Sequence, residues 1–258
     1  MAGGHRTGHV HALYRHAHSR LHLAPPHLKI AATLAVVFAV VATPREAVWA
    51  FALYGALFVG LAASAGLSAR FVATRMVIEI PFVVVALLLP FFAGGDQVDV
   101  LGVSVSRSGL WSAWNIVAKA TLGLLASVVL AGTTQIPELL RGLATLRVPA
   151  IIISITGFMV RYLDVVLGEL RRMHVAMHAR GYHPRWLGHV RPYATSVGSL
   201  FVRSYERGER VYLAMASRGY DGRMPTTATD RSTTAERAVA GVIVVVAWAI
   251  AITGWVLR

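Results

Sequence analysis

Residues Ala176–Tyr182 read AMHARGY and residues Ala214–Tyr220 read AMASRGY, with five identities in seven positions at a separation of 38 residues. Each copy closes a stretch that reads as a helix without interior proline: Ala150–Arg180 ending at Gly181, and Pro192–Arg218 ending at Gly219. Glycine is favoured just past a helix, and arginine in the last turn complements the helix dipole. One such end is explained as a cap. Two ends that also share Ala, Met and Tyr imply a shared surface, since a cap requires only the glycine. Arginine suits such a surface, because its planar guanidinium forms bidentate pairs with carboxylates.

Both copies sit in a segment, residues 133–235, with fourteen arginines against seven acids. It is too long for an ordinary loop. Pro137–Leu146 reads as a short helix and Pro149 starts the first long one. That helix is apolar through Ile151–Ile155, Phe158, Met159, Leu163, Val166 and Leu170, and is expected at or partly in the membrane surface. On the second, Ser204 and Gly208 share a stripe with Val197, Phe201, Val211 and Met215, where small residues would let another backbone cross closely.

The rest of the chain reads as membrane. The net charge is +13, only Lys29 and Lys119 are lysines, and the hydrophobic fraction of 56% sets an integral membrane protein against a nucleic-acid binder. Mean hydropathy is +0.59. The absence of cysteine excludes disulfides, thiolate metal sites and cysteine nucleophiles. Five stretches approach the roughly 20 apolar residues a helix needs to cross a bilayer: Leu28–Ala42, Ala47–Leu67, Met76–Ala93, Leu110–Ala131 and Ala238–Leu257. Between the first two, Thr43-Pro44-Arg45-Glu46 matches an N-cap, a Pro at the first helical position and a capping-box Glu. The expected class is an all-α membrane protein with about five spans and a cytoplasmic domain of two long crossing amphipathic helices plus a short one. The divisions are a polar tail 1–27 with seven histidines, a membrane domain 28–132, a cytoplasmic domain 133–235 and a final span 236–258. Arginine asymmetry orients the tail and 133–235 to the cytoplasm, in the cytoplasmic membrane, with the Gly94–Ser108 loop outside.

Ionisable residues inside spans are functional candidates by default. Glu79 is expected to pair with Arg75 four residues earlier, and Lys119 to find Asn115, backbone carbonyls or another subunit. His174 and His178 are four apart but lack a third metal ligand nearby, so no metal site is assigned. Neither lysine stands in a G-x-x-x-x-G-K-[ST] context, and no G-x-S-x-G or H-E-x-x-H occurs. A non-catalytic chain is the reading.

Taken together, the triplets Ala179-Arg180-Gly181 and Ser217-Arg218-Gly219, the run FMVRYLDVVLGELRRMHVAMHARGY over Phe158–Tyr182, and the layout of four spans, a helical domain and a last span resemble the transmembrane T component of energy-coupling factor transporters, cobalt type. The second triplet departs only in Ser217 for Ala. The resemblance implies that Ala179, Arg180, Gly181 and Ser217, Arg218, Gly219 each dock on one of two ABC-type ATPase subunits. Those partners would bind ATP and magnesium, this chain would carry no cofactor, and its membrane helices would hold a substrate-binding S component for cobalt, another metal ion or a vitamin. A permease subunit of a conventional ABC importer is the alternative; it usually presents one coupling loop, against two matched ends here. A histidine-dependent membrane oxidase would need several His boxes, and only His174/His178 offers one.

Overall fold

The computed structural model describes residues 20–92, 94, 97–100, 103–182, 191–222 and 232–257. Residues 1–19, with most of the N-terminal histidines, and the fusion positions Gly95 and Gly188 used below lie outside them. The described chain is helical apart from one short hairpin: α1 (Arg20–Leu23), α2 (Pro26–Ala42), α3 (Val48–Ser64), α4 (Ala69–Met76), α5 (Ile80–Phe92), β1 (Gln97–Val100), β2 (Val103–Ser106), α6 (Arg107–Thr133), α7 (Ile136–Thr145), α8 (Ala150–Ala179), α9 (Arg191–Ala216) and α10 (Thr234–Val256). This is an all-α membrane protein. Two compact units emerge, one of residues 13–142 with 230–258, the other holding 143–229.

Each expected span coincides with an apolar helix. Among the described residues, four helices are long and apolar enough to cross a membrane: Ala69–Phe92, Arg107–Thr133, Ala150–Ala179 and Thr234–Val256. α2 and α3 have 17 residues each, about 25 Å at 1.5 Å per residue, somewhat short of a hydrocarbon core of roughly 30 Å. α8 qualifies because residues 150–160 are almost wholly apolar, whereas Arg161, Asp164, Glu169, Arg171 and Arg172 fill its second half. Between α4 and α5 a 3₁₀ turn, Val77–Glu79, interrupts the third span. Pro81 explains it: it has no N–H for the Val77 carbonyl, and Ile80 N–H takes that acceptor instead.

The core of the membrane unit joins α2, α3, α6 and α10 through small residues, Ala39, Ala50, Ala118, Ala126, Ala247 and Ala251, packed with Phe51, Tyr54 and Phe58. Small side chains let membrane helices approach closely. The Tyr54 hydroxyl, fully buried, donates to the Ala247 carbonyl at 2.7 Å and ties the last helix to the second span. Gly142 of α7 belongs here too. A Cβ at that position would stand 2.9 Å from Pro26 C and His27 N at the start of α2. That contact draws α7 to the membrane unit, so the unit boundary falls at 142/143 where composition suggested 132/133.

The Thr43 region corrects the sequence reading. Thr43 does not cap α3; it ends α2, its hydroxyl donating to the Ala39 carbonyl at 2.8 Å and lying 3.3 Å from the Tyr54 hydroxyl. Glu46 binds Arg45 Nε at 3.0 Å, and α3 begins at Val48 without a side-chain cap. The true capping box closes the start of α10, where Thr233 Oγ1 accepts from Glu236 N–H and Glu236 Oε2 accepts from Thr233 N–H. The expected outer loop contains the hairpin, with Val98 opposite Val105 and Asp99 opposite Ser104.

The two lysines have one task in common. A helix ending in a membrane leaves its last carbonyls without water, and Pro44 has no N–H to offer them. The Ala39 and Val40 carbonyls of α2 accept from Thr43 N–H, the Val41 carbonyl accepts from Lys119 Nζ at 2.8 Å, and the Ala42 carbonyl accepts from Trp255 Nε1 at 2.8 Å. Lys29 Nζ likewise donates to the carbonyl of Thr133, the last residue of α6, at 3.2 Å. Glu79 takes a 2.6 Å bond from Thr121 Oγ1 of α6, and the Arg75 guanidinium lies 3.4 Å over the Phe71 ring.

Candidate functional site at two helix ends

The two repeated ends adopt one backbone geometry. At the first, Gly181 has φ +78°, its N–H donates to the His178 carbonyl at 2.9 Å, and Tyr182 N–H donates to the Met177 carbonyl at 3.1 Å. At the second, Gly219 has φ +83°, its N–H donates to the Ala216 carbonyl at 3.0 Å, and Tyr220 N–H donates to the Met215 carbonyl at 3.1 Å. Both are Schellman motifs, with glycine in the left-handed position where L side chains are strained. The motif also pairs the positions of Met177 with Tyr182 and of Met215 with Tyr220, which it commonly joins by hydrophobic contact. The conserved spacing of Met, Gly and Tyr between the two copies therefore has a local cause.

The arginines do not. Arg180 and Arg218 are exposed, and neither guanidinium makes a hydrogen bond or ion pair among the described residues. Ala179, Gly181, Ser217 and Gly219 are exposed beside them, and a Cβ added at either glycine meets nothing within 4 Å. Each triplet is thus an open tip: one cation held at a rigid helix end, with room around it.

Behind the tips, α8 and α9 are joined by polar contacts. The Glu169 carboxylate, 9% exposed, accepts from Arg203 at 3.2 Å on one oxygen and from Arg207 at 3.2 Å on the other. Ser196 Oγ bonds Met177 Sδ at 3.5 Å, and Leu200 is the buried residue of α9. Arg203 and Arg207 share a face by their spacing of four, yet their partner 34 residues away was not legible in the sequence. Gly208 plays another part than the expected close crossing. It lines, with Ser154, Phe158, Tyr162, Val211 and Met215, a cavity of about 490 Å³, and a Cβ on it meets nothing within 4 Å. Ser204 is half-buried nearby on α9.

The ring nitrogens of His174 and His178 lie 3.2 Å apart, and Tyr193 stacks near both His174 and Tyr182. Burial above all, with Tyr193 beside it, pushes the Tyr182 phenol above its ordinary pKa. No group of three potential ligands occurs among the described residues.

These features define a multi-pass membrane protein carrying a helical unit with two matched arginine tips, both exposed among the described residues. The chain belongs to the family described as cobalt transport protein, CbiQ, whose model matches residues 17–228. It is similar to the cobalt transport protein CbiQ of Rhodobacter capsulatus, 29% identical over 171 residues, which cover 63% of this chain and 69% of that one. A protein of Methanocorpusculum labreanum described as a fused cobalt transport protein CbiMQ is 27% identical over 145 residues, 54% of this chain and 24% of its own length. An uncharacterized protein of Methanocaldococcus jannaschii is 27% identical over 147 residues, 54% and 50% respectively. The chain thus spans a quarter of the first archaeal relative and half of the second.

Proposed function

We propose that this chain is the transmembrane coupling subunit of an ATP-driven uptake transporter of the energy-coupling factor type. The carrying observation is the pair of open tips: two matched helix ends, each with an arginine that has no partner among the described residues. A soluble ATPase presenting a groove lined with carboxylates would take one tip, and a second ATPase the other. Arg180 and Arg218 supply the ion pairs, while Ala179, Gly181, Ser217 and Gly219 keep the approach free of bulk. The Glu169 clamp makes α8 and α9 one lever, so that closure of the two ATPases moves both tips together. ATP and magnesium are held by the partners. Residues 143–229 face the cytoplasm, as their excess of arginine favours, with the apolar half of α8 at the membrane surface.

The transported species is bound by a separate membrane S component. Membership of a cobalt transport family favours a divalent metal ion as cargo. Two tips in one chain favour this role over that of a conventional importer permease. The test is purification of the chain with its neighbouring gene products: two ATPase copies per chain are expected, and a single copy or none refutes the reading.

A further inference from the structure

Among the described residues, no carboxylate forms an ion pair with Lys119. It lies in α6, within the membrane unit, and its ammonium reaches the last turn of α2 to bond the Val41 carbonyl at 2.8 Å. An ammonium has three donors, so that bond leaves two. The neighbouring Glu46 is engaged by Arg45 Nε at 3.0 Å. Lys29, the other lysine, has Glu138 close enough to act on it electrostatically. A membrane cation facing no anion is costly and calls for a partner.

The surroundings describe that partner. Lys119, Arg45, Asn115, Pro44 and Trp255 line a polar recess of about 290 Å³, with the Glu46 carboxylate, engaged by Arg45, also in its wall. Asn115 Oδ1 is buried there without a hydrogen-bond partner among the described residues. Four tryptophans mark the same end of the unit as the bilayer interface: Trp49 in the first turn of α3, Trp111 and Trp114 in the first turns of α6, and Trp255 in the last turn of α10. Phe51 and Trp114 pack edge-on at 6.3 Å, and Val48 shares a cavity wall with Trp111, so these ends lie together. Lipid phosphates sit at this level. We infer that this recess is a binding site for the phosphodiester of a membrane phospholipid, with Lys119 as the ion-pairing donor, Arg45 as a second cation at its mouth and Asn115 Oδ1 accepting from a headgroup hydroxyl. The inference rests on the membrane unit alone and is independent of the coupling role.

The test uses the full chain purified in detergent and stripped of lipid, titrated with short-chain phosphatidylglycerol, short-chain diacylglycerol or inorganic phosphate. Native mass spectrometry reads retention and thermal unfolding reads stabilisation. Wild type should retain one phospholipid and be stabilised by phosphatidylglycerol, with diacylglycerol and inorganic phosphate much weaker. Lys119→Gln, which keeps a donor for the Val41 carbonyl but loses the charge, should bind the phospholipid about tenfold more weakly or worse, and Lys119→Met should behave alike if it folds. Equal stabilisation by inorganic phosphate would assign a soluble anion and overturn the lipid. Equal stabilisation by diacylglycerol would show that the acyl chains alone bind. Unchanged lipid retention in Lys119→Gln, with loss of a co-purifying membrane protein, would give the charge to a partner's carboxylate.

Discussion

Replacing Gly181 by Ala isolates the backbone of the first tip. The added methyl meets nothing within 4 Å, so no clash contributes, and the whole effect comes from φ +78°. Holding an L residue in the left-handed region costs about 1–2 kcal/mol, and the helix end relieves it by opening. The amides that report this are those of Gly181 and Tyr182, bonded to the His178 and Met177 carbonyls. Opening made easier by 1.4 kcal/mol raises hydrogen exchange about tenfold, so both amides should lose roughly five- to thirtyfold of their protection while the centre of α8 is unaffected. Gly181→Asn, which tolerates the left-handed region better, should restore much of it. Gly219→Ala should repeat the result at Tyr220, whose acceptor is the Met215 carbonyl. Exchange in Gly181→Ala equal to wild type would refute the view that glycine sets these ends. If ATPase binding is lost with Asn as well as Ala, the glycines serve close approach of the partner in addition to the cap.

Three further outcomes follow from particular contacts. Gly142→Ala should destabilise the membrane unit by about 1–3 kcal/mol, since its methyl must displace backbone at Pro26 and His27 rather than a pliable side-chain end; detergent thermal unfolding checks this. Glu169→Gln should weaken both arginine contacts between α8 and α9, seen as a lower unfolding temperature and faster exchange of α9 amides around Arg203. A reporter fused at Gly188 should read cytoplasmic and one at Gly95 outside; the reverse would remove the tips from any cytoplasmic ATPase.

What the sequence disclosed was whatever chain punctuation and hydropathy control. Pro149, Gly181 and Gly219 bound the long helices because proline and left-handed glycine act locally, and helix ends expected at Arg180 and Arg218 fall within two residues of Ala179 and Ala216. Thr43-Pro44-Arg45-Glu46 misled because its pattern is local but its outcome is not. The Thr43 hydroxyl is claimed by Ala39 behind it and Tyr54 across the core, while the same pattern at Thr233 and Glu236 forms a capping box. The β1–β2 hairpin had a signal in the alternation of Val98, Val100, Val103 and Val105 around Leu101-Gly102. In the repeated heptapeptide, the Met and Tyr positions are joined by the backbone bonds of the cap, and only the arginines are left without a local task among the described residues. The Glu169 clamp and the lysine bonds to helix ends depend on residues 34 to 104 positions apart, which no local pattern encodes.

The central claim is that Arg180 and Arg218 each hold one ATPase. Since neither side chain has a partner among the described residues, Arg→Glu should leave folding and membrane insertion untouched, so any loss falls on association. The decisive measurement is quantitative co-purification of the ATPase subunits with wild type, Arg180→Glu, Arg218→Glu and the double variant, at matched expression. Each single reversal should weaken assembly, and the double should abolish it together with uptake. Recovery of the ATPases by the double variant at the wild-type level would contradict the account and leave the two ends as ordinary helix caps.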